Sequence, residues 1–190
     1  MTTAPAPRRR IWRTKPVEVR LLDAVMSRLG YTHDAAFAAF LDVDRTAIYA
    51  IRSGKSSLSA NQRIKALDGI PYFPDTSIQN LLSSPSLKQR LLERASPKLQ
   101  SRWSAEPSKE GQDADLVMAI KSILEFSSHE RVAQFLGMTH SGVSRIWNRE
   151  RSLGILPRLR ILNHVDESMG TGQLYELLTN TRAMLRWLSA

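Results

Sequence analysis

The stretch HERVAQFLGMTHSGVSRIWN, residues 129–148, decides the fold. It has a small residue, Ala133, at the place where a second helix would cross the first. Gly137 follows four positions later, where a tight turn needs a left-handed backbone. Val143 and Ile146 then lie on one face of the following helix, turned toward a core. This spacing predicts two short helices packed across a tight turn, the helix-turn-helix arrangement.

The same pattern occurs a second time, earlier in the chain. Residues 21–70 align with residues 116–165 without a gap, at an offset of 95 residues and with twelve identical positions. The equivalents of the four key residues are Ala38, Asp42, Ile48 and Ile51. Aspartate tolerates the left-handed backbone of the turn better than most residues do. The chain is therefore interpreted as a tandem repeat.

The repeat sets the domain organisation. A weaker match at an offset of 96 extends the two copies to residues 17–95 and 112–190. The stretch between them, residues 96–111, is rich in serine, proline and charge and is predicted to be a linker. Residues 1–16 form a basic arm ahead of the first copy. Because apolar residues recur at helical spacing and no alternation indicates a strand, we expect an all-α protein with two tandem five-helix domains.

Most of the positive charge lies in the arm. The formal net charge is +9, and residues 1–16 contribute five basic residues and no acidic one. The two repeats carry only +2 and +1. A basic excess favours a polyanionic partner, most often nucleic acid. For the repeats themselves, a nucleic-acid role must be argued from the motif and not from bulk charge.

Several function classes are excluded or disfavoured. The absence of cysteine excludes disulfides, thiolate zinc sites and a cysteine nucleophile. The four histidines do not have metal-binding spacing, and no glycine-rich phosphate loop is present. No apolar run approaches the roughly 20 residues that cross a bilayer. We therefore expect no enzyme activity, no cofactor, no metal, no membrane span and no small-molecule ligand.

Two stretches, LGMTHSGVSRIWN (136–148) and more loosely VDRTAIYAIRSGKSSLS (43–59), carry a family resemblance. Together with the helix order, they resemble the lambda-repressor-like DNA-binding domains of phage repressors, Cro-type regulators and their bacterial relatives. The resemblance covers both repeats and implies sequence-specific binding of double-stranded DNA, usually by a repressor in the bacterial cytoplasm. The chain departs from that family in having two such domains and in placing Asp42 in the turn.

The resemblance also implies roles for individual residues, because the third helix of such domains lies in the major groove. The residues expected to contact bases are Arg45, Thr46 and Tyr49 in the first repeat and His140, Ser141, Ser144 and Arg145 in the second. The residues expected to contact phosphates are Arg52, Lys55, Asn148, Arg149 and Arg151. In the arm, Arg8, Arg9, Arg10 and Arg13 are expected to follow the backbone or enter the minor groove, the alternative being a solubilising tail.

The main hypothesis is a transcriptional regulator that reads two different half-sites with two recognition helices. One chain covers both if the helices lie about 34 Å apart, and a homodimer would cover four. Two alternatives stay open, a helical adaptor or antirepressor that binds another protein and a non-specific architectural DNA binder. The first repeat alone could also have become an interaction module.

Overall fold

A computed structural model describes residues 16–73, 75–105, 112–166 and 171–190, and all regular elements in these ranges are α-helices. The helices of the first repeat are α1 (Val17–Arg28), α2 (Asp34–Leu41), α3 (Arg45–Arg52), α4 (Ala60–Gly69), α5 (Ile78–Leu81) and α6 (Ser84–Arg94). A connecting helix follows, α7 (Pro97–Ala105). The helices of the second repeat are α8 (Gln112–Ile123), α9 (His129–Leu136), α10 (His140–Trp147), α11 (Ile155–Val165), α12 (Thr171–Thr179) and α13 (Thr181–Ser189). The expected all-α class is confirmed.

Within the described residues each repeat has six helices, not the five predicted, because the last predicted helix is divided in both copies. In the first repeat the division falls at Ser83, whose hydroxyl caps α6, and Pro85 follows in the first turn. In the second repeat the side chain of Asn180 accepts hydrogen bonds of 3.0 and 3.2 Å from two backbone N–H groups of α13. These caps satisfy donors that a new helix leaves without an internal partner, which makes the division favourable.

Part of the predicted linker is helical. Residues 97–105 form α7, which packs against α6. Trp103 on α7 is buried, and Lys88 Nζ on α6 lies 5.1 Å from the centroid of its ring. A buried indole provides a large apolar contact, which explains why a segment of such polar composition folds as a helix.

The backbone repeats with the sequence at its left-handed turns. Three pairs of residues with positive φ are separated by 95 positions, and they are Gly30 with Glu125, Asp42 with Gly137, and Gly54 with Arg149. Each pair contains one glycine, which adopts this conformation without strain, and one residue that does so at a cost. The left-handed backbone predicted at Asp42 and Gly137 is therefore confirmed, with φ of 58° and 62°.

A tight turn joins the second and third helices of each repeat. The backbone N–H of Met138 donates to the carbonyl of Ala133 at 2.8 Å, and the N–H of Val43 donates to the carbonyl of Ala38 at 3.0 Å. Both bonds close around the left-handed residue that ends the preceding helix. The hydroxyl of Thr139 accepts a hydrogen bond from the backbone N–H of Gly142 at the start of α10.

The third helix of each repeat is amphipathic. Its inner face consists of apolar side chains that are at most 1% exposed, and these are Ile48, Ile51, Val143 and Ile146. They are the residues that the repeat pattern places toward the core. Because the core holds α3 and α10 by this one face, the opposite face of each helix is left at the surface.

The last helix of each repeat packs against the first helix of the other repeat. α13 packs against α1, and α6 packs against α8. By contrast, α3 packs on α1 and α2, and α10 packs on α8 and α9, within their own repeats. The buried apolar side chains of both repeats form one continuous core. Each repeat therefore contributes its last helix to the other repeat, and we call this arrangement the exchange of α6 and α13. It is reciprocal, as in an isologous interface, so neither repeat completes its core alone.

An arginine of the first repeat crosses this junction. Arg63 is 3% exposed, and its Nε donates to the carbonyl of Leu58 in its own repeat at 3.0 Å. Its Nη1 donates to the carbonyl of Leu177, and its Nη2 donates to Thr181 Oγ1 at 2.6 Å, both in the second repeat. The same hydroxyl donates to Glu18 Oε1 on α1 at 2.8 Å. This network ties the start of α13 to α1 and α4.

The equivalent arginine of the second repeat makes the reciprocal network. Arg158 donates through Nε to the carbonyl of Leu153 at 3.0 Å and through Nη1 to Leu82 and Ser84 of the first repeat, each at 2.8 Å. Its Nη2 lies 2.6 Å from Asp113 Oδ1, and both side chains are largely buried. Charged donors that satisfy several acceptors at once are the strong kind of protein hydrogen bond.

Replacing Arg158 by methionine is expected to lower the free energy of unfolding by about 3 kcal/mol, because Asp113 would keep a largely buried charge without its cation. Urea denaturation followed by circular dichroism measures this. The control is Arg160→Met on the same helix, where the side chain is exposed and a change within about 0.5 kcal/mol is expected. Equal effects of the two substitutions would contradict the assigned role.

Candidate nucleic-acid interface

The outer face of α3 carries the residues predicted to contact bases in the first repeat. Arg45 and Thr46 are exposed in its first turn, and Tyr49, one turn later, is 71% exposed. Lys55 is also exposed, just after the helix. The structure therefore brings these four side chains to one surface. An exposed tyrosine on a helix with a buried inner face is a feature that core packing does not require.

The outer face of α10 carries the corresponding set in the second repeat. His140, Ser141 and Arg145 are exposed, and Ser144 is half-buried. The predicted phosphate contacts of this repeat follow the helix and are all exposed, namely Asn148, Arg149 and Arg151. Arg145 Nε lies 3.7 Å from a carboxylate oxygen of Glu150, with both side chains more than half exposed. Such an exposed pair contributes little energy, so Arg145 can turn to a ligand at small cost.

Arg52 lies in an ion-pair cluster. Its Nε and Nη2 donate to the two oxygens of Asp34 on α2, each at 2.6 Å, and its Nη1 donates to Asp23 on α1 at 2.9 Å. The hydrogen bonds from Arg52 hold the pKa of Asp34 below its usual value. Two-point pairing of this kind fixes the guanidinium firmly. The arrangement favours a role for Arg52 in joining α1, α2 and α3 over the predicted phosphate contact.

The equivalent surface of the second repeat carries cations and aromatic rings. The ring of His129 lies 4.4 Å from the ring of Trp147 and 6.2 Å from the ring of His140, measured between centroids. Lys121 Nζ lies 5.6 Å from the centroid of Trp147. Partial burial lowers the pKa of His129 below its usual value, and the charges of Lys121 and His140 lower it further by smaller amounts. We refer to Lys121, His129, His140 and Trp147 as the basic–aromatic cluster.

Sequence reasoning missed most of this cluster, since only His140 was among the predicted residues. The signal was present in the repeat alignment. His129 and Trp147 stand 95 positions after Asp34 and Arg52, so an ion pair in one copy is replaced by two rings in the other. Comparing the differences between the copies, as well as the identities, would have found it.

The predicted arm contacts of Arg8, Arg9, Arg10 and Arg13 lie outside the described residues. The first described residue, Pro16, lies beside the end of α3, where its Cγ is 3.7 Å from the position that a β-carbon on Gly54 would take. The chain therefore enters the described part of the structure next to the C-terminal end of α3.

Apart from the two helix faces, the described residues form one further surface feature that involves predicted phosphate contacts. A cleft of about 1170 Å³ lies where the starts of α4 and α11 meet the loop after α10, and Arg149 and Arg151 line it. In these same ranges no three histidine or carboxylate side chains are grouped so that they could hold a metal ion. No helix in them is long and apolar enough to cross a membrane.

Comparison with known protein families, curated proteins and solved structures finds no match to this chain.

Proposed function

We propose that this chain is a sequence-specific, double-stranded-DNA-binding transcriptional regulator of the repressor type, built from two lambda-repressor-like domains. In this proposal α3 and α10 enter the major groove and read two half-sites. One observation carries the proposal. In both repeats a capped short helix follows a left-handed turn, buries its apolar face and exposes a polar one. A single helix with that outer face has the size and chemistry that the major groove accepts.

The outer face of α10 has suitable chemistry for base contacts. Arg145 is a long, exposed fork of donors, which can pair with the two acceptors of guanine. Ser141 is exposed in the first turn, and its hydroxyl lies 3.2 Å from that of Thr139. The first turn of a helix also favours a nearby phosphate, since its backbone N–H groups and dipole are positive there. Together these features support groove entry by the N-terminal half of α10.

The two half-sites should differ in sequence. The outer face of α3 has Arg45 and Tyr49 where α10 has His140 and Ser144. Different side chains read different bases, so one chain should select an asymmetric, bipartite site. Selection of bound sequences from random duplexes tests this directly, and one recurring asymmetric site is the expected result. An architectural binder would select nothing but keep a steep salt dependence, and an adaptor would show neither.

Arg145→Ala is expected to weaken binding to the selected duplex by about tenfold or more, because a bidentate contact with guanine contributes roughly 1–3 kcal/mol. Binding to random duplexes should fall much less. Fluorescence anisotropy measures both affinities. Arg182→Ala, which removes an exposed arginine from α13, serves as the control for lost charge. An equal loss on selected and random duplexes would remove Arg145 from the base-reading residues.

Deleting residues 1–13 is expected to lower affinity for every duplex and to reduce the salt dependence. Each lost phosphate contact should reduce the slope of log K against log salt by about 0.9. The matched control keeps the length of the arm and replaces Arg8, Arg9, Arg10 and Arg13 by glutamine, and it should behave like the deletion. An unchanged slope in both variants would show that the arm does not contact phosphate.

A further inference from the structure

We infer that the two repeats contribute unequally to DNA binding. The surface of α8, α9 and α10 makes most of the contacts with the phosphodiester backbone, whereas the carboxylates around α3 weaken the binding of DNA by the first repeat. The inference rests on the proposed function and deepens it. It names the half-site that carries the affinity, and it adds the basic–aromatic cluster to the residues that contact the backbone.

The starting observation is a difference in charge at equivalent positions. Around its second and third helices, the first repeat has four aspartates where the second repeat has neutral or basic residues. The pairs are Asp23 with Met118, Asp34 with His129, Asp42 with Gly137, and Asp44 with Thr139. The backbone of the turn is the same in both copies, with a left-handed residue followed by a cap. The charge difference therefore falls around two turns with the same backbone conformation.

Two of these aspartates flank the start of α3. Asp42 is exposed in the turn, and Asp44 is exposed at the N-cap, where it accepts a hydrogen bond of 2.7 Å from the N–H of Thr46. That hydrogen bond holds the pKa of Asp44 below its usual value, so the carboxylate stays ionised at neutral pH. The hydroxyl of Thr139 caps the first turn of α10 in a similar way, so the two helix starts differ in the charge of the cap. Two carboxylates at the N-terminal end of α3, the helix proposed to enter the groove, repel the phosphodiester backbone of DNA.

The other two aspartates act on Arg52. Asp23 and Asp34 both pair with its guanidinium, so one positive charge is surrounded by two negative ones. At the equivalent place the second repeat has the basic–aromatic cluster, with His129 where the first repeat has Asp34. Of the basic residues predicted for the first repeat, Arg45 and Lys55 remain exposed near α3. Together with Arg52 they make three cations, compared with the four aspartates named above.

The second repeat has the opposite balance. Its turn and N-cap are neutral, and His140 begins α10. Lys121 adds a cation above Trp147, and three exposed arginines surround the helix, namely Arg131, Arg149 and Arg151. Glu130 and Glu150 are exposed nearby, and Glu150 faces Arg145 at 3.7 Å. Basic groups therefore exceed carboxylates here, and two imidazoles supply further donors to phosphate oxygens.

The geometry of the cluster suits a backbone contact. His129 and His140 are the first residues of α9 and α10, so the two helix starts meet at this place. Ring nitrogens at two adjacent helix starts, together with the ammonium of Lys121 from the last turn of α8, match the several acceptor oxygens of a phosphodiester. At the same place in the first repeat, the carboxylates of Asp34 and Asp23 pair with the guanidinium of Arg52, and Arg45 begins α3.

The test compares matched pairs of substitutions in the full chain, with a random-sequence duplex of about 30 base pairs, or three helical turns, as the probe. In the second repeat, Lys121→Met and Arg149→Gly introduce the residues of the first repeat, and glycine suits the positive φ at Arg149. In the first repeat, Arg45→Gln and Lys55→Gln likewise remove two cations. Anisotropy titrations give the affinities, and circular dichroism melts confirm that each variant is folded.

We expect the pair in the second repeat to weaken binding by about tenfold and the pair in the first repeat by less than about twofold. A gain-of-function variant tests the aspartates. Asp42→Gly with Asp44→Thr keeps the turn and the cap, and it should strengthen binding by about threefold because it removes repulsion. Circular dichroism melts confirm that this variant is folded as well.

The outcomes separate this inference from the proposed function. If the unsubstituted chain binds no duplex at low salt, the proposed function fails. If it binds, an equal loss from the two pairs, or a larger loss from the first repeat, overturns the unequal contribution. Unchanged affinity in Asp42→Gly with Asp44→Thr overturns the repulsion by the aspartates.

Discussion

Two arginines, the buried Arg63 and the largely buried Arg158, connect the two repeats. Each donates to a carbonyl of its own repeat and to a carbonyl and a hydroxyl of the other, at the start of an exchanged helix. The exchange lets α13 cover α1 and lets α6 cover α8. These contacts occupy the first helices, while the outer faces of α3 and α10 stay exposed. The constraint that joins the repeats thus leaves both candidate faces available to a ligand.

The two repeats keep one backbone and differ in surface chemistry. Left-handed residues recur 95 positions apart, and the same buried positions hold the third helix in each copy. At equivalent positions, Arg52 pairs with two aspartates in the first copy, whereas the rings of His129 and Trp147 contact each other in the second. In each copy these side chains, together with Lys121 in the second, connect the first three helices of the repeat. We propose that a polyanion distinguishes the two copies, because four aspartates of the first repeat are neutral or basic residues in the second.

Sequence reasoning succeeded where structure depends on local rules. The turn at Asp42 and Gly137, and the inner faces of α3 and α10, follow from left-handed backbone preference and helical spacing. It failed where contacts join distant segments. The exchange of α6 and α13, the helix that buries Trp103, and the capture of Arg52 by Asp23 depend on residues far apart in the chain. The base-contacting residues of the candidate site that the family resemblance implied on α3 and α10 lie away from the core, and all are exposed except Ser144, which is half-buried. Most of the basic–aromatic cluster was missed, because its signal lies in the differences between the two copies and its members come from three helices.

Amide hydrogen exchange, measured on the full chain with and without duplex DNA, tests the central claim most directly. If α10 and its surroundings take the backbone, exchange in residues 140–147 and around His129 should slow markedly on binding, and exchange in residues 45–52 should slow much less. Equal protection of the two third helices would contradict the unequal roles assigned to them. Protection confined to other surfaces would contradict DNA binding through these faces altogether.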